Sequence, residues 1–242
     1  MKHRLIIWLF LCFIYFACYF TGWVISLAFG EENVPQKTIV LCFDDGPRPA
    51  VLEKLLPVLE NYKVPGTFFV MGWAAVQNKE LVKKMHEAGH EIENHSWGHE
   101  NFKKLFREKG AEAVKSNLNK TDNAIFKATD RHSRFFRPPY WEINAEIEQI
   151  VKSLGYTIMK LDNPDINTMD YADTSKHRPA EVLIERVKKI IAERERQKIF
   201  SHILVFHELS ITTGALETLI PYFQARGYKL VRLDECKGEK RC

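Results

Sequence analysis

The first thirty residues contain no acid. All 31 aspartates and glutamates lie beyond Gly30, and residues 5–29 carry no charge of either sign. That excludes an ordinary solvated surface for this stretch. What remains is an apolar run dense in Leu, Ile, Phe and Tyr, preceded by Lys2 and Arg4. Such a run behind basic residues reads as a secretory signal over residues 1–30, with small residues at Ala28 and Gly30 for cleavage. An uncleaved anchor stays open, because the run is long enough to span a bilayer and would attach the protein to a membrane through residues 5–29. Either way residues 31–242 are expected to be exported, to the periplasm, the cell envelope or the medium. Cys18 makes a poor lipid-attachment site, since bulky Tyr15 and Phe16 stand where small or aliphatic residues belong.

Charge excess is also missing. Lys and Arg number 35 against the 31 acids, a net +4, too slight a bias to indicate nucleic acid. Cysteine is scarce, at five residues. Cys12 and Cys18 belong to the apolar segment, and Cys42 sits in an apolar run as a small buried residue. Cys236 and Cys242 flank a polar tail. In an oxidising compartment they either pair or stay free, and spacing does not choose. No internal repeat and no linker divides the chain. Residues 31–242 therefore read as one large domain, expected to be monomeric, with enough apolar residues for a proper core.

From residue 37 onward strand-like and helix-like segments alternate. Strands are expected at 38–43, 66–71, 90–93, 134–136, 156–161, 202–206 and 228–233. Helices are expected at 51–62 (with Pro57 as a kink), 79–88 (capped by Asn78 and Gly89), 108–127, 146–154, 179–196 and 216–226. Alternation of this kind implies an α/β fold of about seven parallel strands, with a barrel and an open doubly wound sheet both compatible.

The chemistry clusters after strands. Thr38-Ile39-Val40-Leu41-Cys42-Phe43 runs into Asp44-Asp45-Gly46-Pro47. Adjacent carboxylates on extended backbone point in different directions, which suits one to a metal and the other to a proton. His95-Ser96-Trp97-Gly98-His99 places two imidazoles at i and i+4, on one face if the segment is a helical turn. With Asp45 they would make a two-His, one-acid metal site. Arg137 brings a permanent positive charge in Phe135-Phe136-Arg137-Pro138-Pro139-Tyr140. His207 leaves the sheet at the end of Val205-Phe206. Taken singly, these are a solvated turn, an incidental His pair, a structural Arg and a core His. In a parallel α/β fold they converge on one rim.

These motifs together resemble the polysaccharide deacetylase (NodB-homology) family, carbohydrate esterase family 4, over about residues 37–235. Phe-Asp-Asp-Gly-Pro at 43–47, His-Ser-x-x-His at 95–99 and Arg-Pro-Pro-Tyr at 137–140 resemble its first three motifs. Thr-Phe-Phe at 67–69 and Gly-His-Glu-Ile at 89–92 are also similar to it. The resemblance implies a distorted (β/α) barrel of about seven strands. It implies Asp45, His95 and His99 as ligands of one divalent metal, usually Zn2+, with Co2+ or Ni2+ suited to similar ligands. It implies Asp44 as catalytic base, Arg137 as the residue orienting that base, and His207 as general acid. The backbone N–H of Tyr140 is then the expected oxyanion donor. The substrate implied is an N-acetylated glycan, from which acetate is released.

Some positions depart from the family pattern. In the fourth motif Asp162-Asn163-Pro164-Asp165 competes with Asn167-Thr168-Met169-Asp170-Tyr171, and Asp170 is favoured as the acid supporting His207. Val205 stands where Leu is usual and is expected to wall an acetyl methyl. Trp141 replaces a usual Gly, either to line the groove or to pack. Rival readings are an O-acetyl esterase or sugar deformylase on the same fold, a glycan-binding protein with a decayed site, and a metal-binding envelope scaffold.

Overall fold

The computed structural model describes residues 36–161 and 165–236. Residues 1–35, which hold the expected signal or anchor, lie outside the described residues, as do Asp162 and Cys242. Among the described residues no helix is long and apolar enough to cross a membrane.

The chain runs β1 (Thr38–Gly46), α1 (Pro49–Asn61), β2 (Thr67–Val70), α2 (Gly72–Gln77), α3 (Lys79–Glu87), β3 (Glu91–Asn94), α4 (Phe102–Thr129), β4 (Phe135–Phe136), α5 (Ala145–Ser153), β5 (Thr157–Ile158), β6 (Asp165–Asn167), α6 (Asp170–Ser175), α7 (Ala180–Arg196), β7 (Ser201–His207), α8 (Ser210–Ala225) and β8 (Lys229–Val231). Every recorded strand pair is parallel, as crossover helices demand. The order is β5-β4-β3-β2-β1-β7-β6, with β8 also on β1.

Eight strands nevertheless occupy seven places. One edge of β1 pairs with β7 from Thr38 to Asp44. Its other edge is divided between β8, opposite Thr38–Val40, and β2, from Cys42 onward. The curled sheet is thus the distorted (β/α) barrel expected from the sequence, with β6 as the added strand. Asp165-Ile166-Asn167 contains a single apolar residue, too little pattern to read as a strand beforehand.

Alternation along β1 sorts the core. Ile39, Leu41 and Phe43 face outward and pack under the helices with Leu52, Leu55, Phe68, Leu204, Phe206, Leu219 and Phe223. Val40 and Cys42 face inward with Phe69, Met159, Ile203, Val231 and Leu233. Full burial of each large side chain stabilises the fold by roughly 1.5–3 kcal/mol. The barrel interior also holds polar groups, including Glu91, Glu93 and Arg137, all buried.

Three local expectations change. The helix expected over 108–127 begins at Phe102 and is interrupted at Gly110, whose φ of 75° and ψ of −173° are not helical. Asn78 precedes α3 but makes no capping bond to it; its Nδ2 donates to Ala74 O at 2.9 Å and closes α2 instead. Helix α1 continues through Pro57 with helical backbone.

Candidate active site

Parallel register carries the chemical residues to one end of the sheet. Asp44 pairs with His207 across β1 and β7, and Val205 pairs with Cys42 one layer below them. Val70 pairs with Asn94, and Asn94 with Phe136. His95 and Arg137, the residues immediately after these strand ends, therefore lie side by side. This is the carboxyl end of the strands, where parallel α/β folds hold their sites.

Asp44 is buried against Arg137. The Nη1 of Arg137 donates to Asp44 Oδ1 at 2.6 Å, and both side chains are almost wholly removed from solvent. The guanidinium also lies 4.0 Å from the centre of the Phe69 ring, a favourable cation–π contact. Burial works against the Arg137 charge, and Asp44 more than reverses that, so the group stays charged. Burial pushes the adjacent Cys42 thiol up to about 12, which keeps it a neutral wall.

The His95–His99 segment is not a helical turn. Ser96 and His99 both have positive φ, 70° and 64°, so the two rings meet through a tight loop. Asn94 secures it: its Oδ1 accepts from Ser96 N at 2.9 Å, and its Nδ2 donates to Leu118 O and the Tyr156 hydroxyl. Ser96 Oγ accepts from His99 N at 2.9 Å. Asp45 is not extended either. Its φ of 68° lies in the left-handed region, where a non-glycine residue is strained. That conformation, rather than strand alternation, turns Asp45 toward the imidazoles.

The Nε2 atoms of His95 and His99 stand 3.3 and 3.2 Å from Asp45 Oδ1, and three donor atoms of this set lie within 4.8 Å of one another. His95 Nδ1 is 2.8 Å from the carbonyl oxygen of Arg137. A carbonyl only accepts, so Nδ1 carries the proton and Nε2 presents a lone pair. A lone pair facing a buried carboxylate oxygen repels unless a cation or proton lies between them. The donor set therefore fits a divalent metal of the kind bound by imidazole and carboxylate.

His207 is oriented by Asp170, as the second of the two competing registers requires. Its Nδ1 lies 2.8 Å from Asp170 Oδ1, and its backbone N–H donates to Asp170 Oδ2 at 2.7 Å. Asp165 instead sits on β6, facing the barrel interior. Burial works to lower the His207 pKa; the Asp170 hydrogen bond and charge reverse this and leave it raised. Tyr140 is 59% exposed, with its ring 4.6 Å from that of His99. Trp141 lies 5.5 Å from the Arg137 guanidinium, and Val205 is buried.

Three supporting residues escaped the sequence reading. Thr212, buried on α8, donates to Asp170 Oδ2 at 2.6 Å. Arg48 approaches Asp45, with Nη2 3.4 Å from Oδ2. Glu208, fully buried, accepts from Arg48 N at 2.6 Å. Thr212 reads as one more residue of a helix. Glu208, although next to His207, reads as a surface acid.

A parallel barrel that gathers its ionisable side chains at the carboxyl rim has the layout in which (β/α) barrels hold their active sites. The chain belongs to the polysaccharide deacetylase family: the model of that family matches residues 31–159. It is 33% identical over 206 residues to the peptidoglycan-N-acetylglucosamine deacetylase PgdA of Listeria monocytogenes, covering 85% of this chain and 40% of that protein. It is 30% identical over 220 residues to the peptidoglycan-N-acetylmuramic acid deacetylase PdaC of Bacillus subtilis, covering 90% and 43%. The chain thus spans about two fifths of the length of these relatives. Among solved structures, a pseudoenzyme of carbohydrate esterase family 4 from Bacillus anthracis superimposes with a TM-score of 0.72 at 27% identity, over 87% of this chain and 68% of that one.

Proposed function

We propose that this chain is an exported, metal-dependent deacetylase that hydrolyses N-acetyl groups of a glycan, with peptidoglycan as the substrate to test first. The observation that carries the reading is the adjacency of two devices. One is the Asp45–His95–His99 donor set; the other is the Asp44–His207 pair, each member of which has its own buried partner. The names of the relatives support peptidoglycan and an envelope location.

A divalent ion held by Asp45, His95 and His99, most simply Zn2+, would supply Lewis acidity toward the acetyl carbonyl. The chain does the rest. Asp44, held by the Arg137 hydrogen bond, takes a proton from the attacking water as its oxygen bonds to the carbonyl carbon. The Tyr140 backbone N–H is offered to the developing oxyanion. His207, its pKa raised by Asp170 against the effect of burial, gives a proton to the amide nitrogen. The carbon–nitrogen bond then breaks, and acetate and a free amine leave. Val205 and Trp141 are assigned to the walls of the acetyl pocket.

The test begins with metal content. About one zinc per chain is expected, largely lost in His95→Ala. Acetate release from peptidoglycan should then match the free amines that appear on glucosamine or muramic acid. Acetate without new amines would move the assignment to O-acetyl esters. Similarity to a pseudoenzyme favours one second reading, a glycan-binding protein. A zinc-loaded chain that binds glycan and releases no acetate would establish it.

A further inference from the structure

Asp45 is held in a strained left-handed conformation at the point where its carboxylate meets two imidazoles. Such a residue persists only where its surroundings fix the backbone on both sides. Glu208 does this on both sides, alongside the Met71 N–H that donates to Gly46 O at 2.8 Å and the Arg48 Nε that donates to Asp45 O at 3.3 Å. On the near side, the backbone N–H of Glu208 donates to Asp44 O at 3.1 Å, extending the β1–β7 ladder by one bond. On the far side, the Glu208 carboxylate accepts the Arg48 N–H at 2.6 Å. Asp45-Gly46-Pro47 is thereby bracketed between the main chain and the side chain of one residue.

The fit is tight. A Cβ on Gly46 would lie 1.8 Å from Glu208 Oε1. Gly46 has no left-handed φ that would demand glycine, so the lack of a side chain there serves the Glu208 carboxyl. That carboxyl is fully buried, and its Oε1 has no hydrogen-bond partner. Burying an under-satisfied carboxyl costs stability, a cost that a turn needing only closure would not incur.

We propose that Glu208 is a positioning residue for the metal site, gripping the Gly46–Arg48 turn so that Asp45 is presented to His95 and His99. The inference rests on the metal-site reading above and adds a supporting residue to it. Outer partners of metal ligands typically contribute about 10–100-fold in metal affinity.

The experiment measures Zn2+ affinity of the full-length chain by competition with a chromophoric chelator, beside thermal unfolding. Glu208→Met keeps the volume and removes the acceptor; it should weaken Zn2+ binding about 10–100-fold. Glu208→Gln retains an amide oxygen for Arg48 N–H and should recover most of that loss. Gly46→Ala expels the carboxyl from the opposite side. It should weaken Zn2+ binding as well, and adding Glu208→Met to it should cost little more, because both changes break one contact. Gly46→Ala keeps the inference testable should Glu208→Met fail to fold. Wild-type Zn2+ affinity in Glu208→Met and Gly46→Ala, with only the melting temperature lowered, would overturn it. A wild-type chain that takes up no Zn2+ would overturn the metal-site reading itself, and with it this inference.

Discussion

Asp44 and His207 face each other across adjacent strands, and each is held by a different buried neighbour. Asp44→Asn removes the base while leaving Asp45, His95 and His99 in place. Turnover should fall to background with zinc content unchanged; wild-type turnover in this variant would refute the assigned base. As the proposed general acid, His207 has the opposite requirement and must carry a proton. Asp170 raises its pKa, so the protonated form persists to higher pH than in an unsupported imidazole. In Asp170→Asn the alkaline limb of the kcat/KM profile should move to lower pH. An unmoved limb would mean that another group sets it.

At the scale of elements, the site's supports come from helices packed behind it. Asp173 on α6 is clamped by Arg186 of α7 through bonds of 2.6 and 2.8 Å, and Arg186 also donates to Thr168 O at 2.9 Å. Thr212 of α8 donates to Asp170 at the start of α6. Helices α7 and α8 thus brace α6 through two of its carboxylates, Asp173 and Asp170. Thr212→Val keeps the shape and deletes the donor. Hydrogen bonds to charged groups contribute about 1.5–3 kcal/mol, so the variant should lose that much stability in urea titrations and some turnover, but no zinc. Parallel loss of zinc would show that α8 supports the metal side instead.

For the whole molecule, stability should depend on pH through groups buried away from the rim. Burial, then the charge of Glu91, pushes the Glu93 carboxyl well above its ordinary range. Glu91 is raised too, by burial and by Asp234. Both sit low in the barrel, where Glu93 accepts the backbone N–H groups of Arg134 and Phe135. Native carboxyls that hold protons above the unfolded value of about 4.3 lower stability as pH rises through that window. His90 and His202 work the other way. Burial lowers each to about 4, so their contribution grows from pH 4 and is complete above about 6.5. Above that pH Glu208, pushed by burial to about 8, and His207, raised by Asp170, both lower stability as pH rises. Metal-free protein should therefore lose stability as pH rises from about 6.5 through about 8. Glu93→Gln should lose less stability as pH rises above about 4.3, its slope shallower by at most about 1.4 kcal/mol per pH unit. Equal slopes would mean that Glu93 is ionised in the native state.

Sequence pattern alone determined the α/β class, the parallel strands and the convergence of Asp44, His95, Arg137 and His207. Strand periodicity and position after a strand are local properties, and parallel register turns them into a common rim. It also placed Asp45 beside the imidazoles, though for an incorrect reason: positive φ at Asp45, Ser96 and His99 does the work assigned to strand alternation and a helical turn. Local composition carries no sign of such strain. Only the tertiary structure decided between Asp165 and Asp170, added β6, and revealed Thr212, Arg48 and Glu208. These depend on which side chains meet across 37 to 160 residues of chain. Packing creates those contacts, and no spacing along the sequence encodes them.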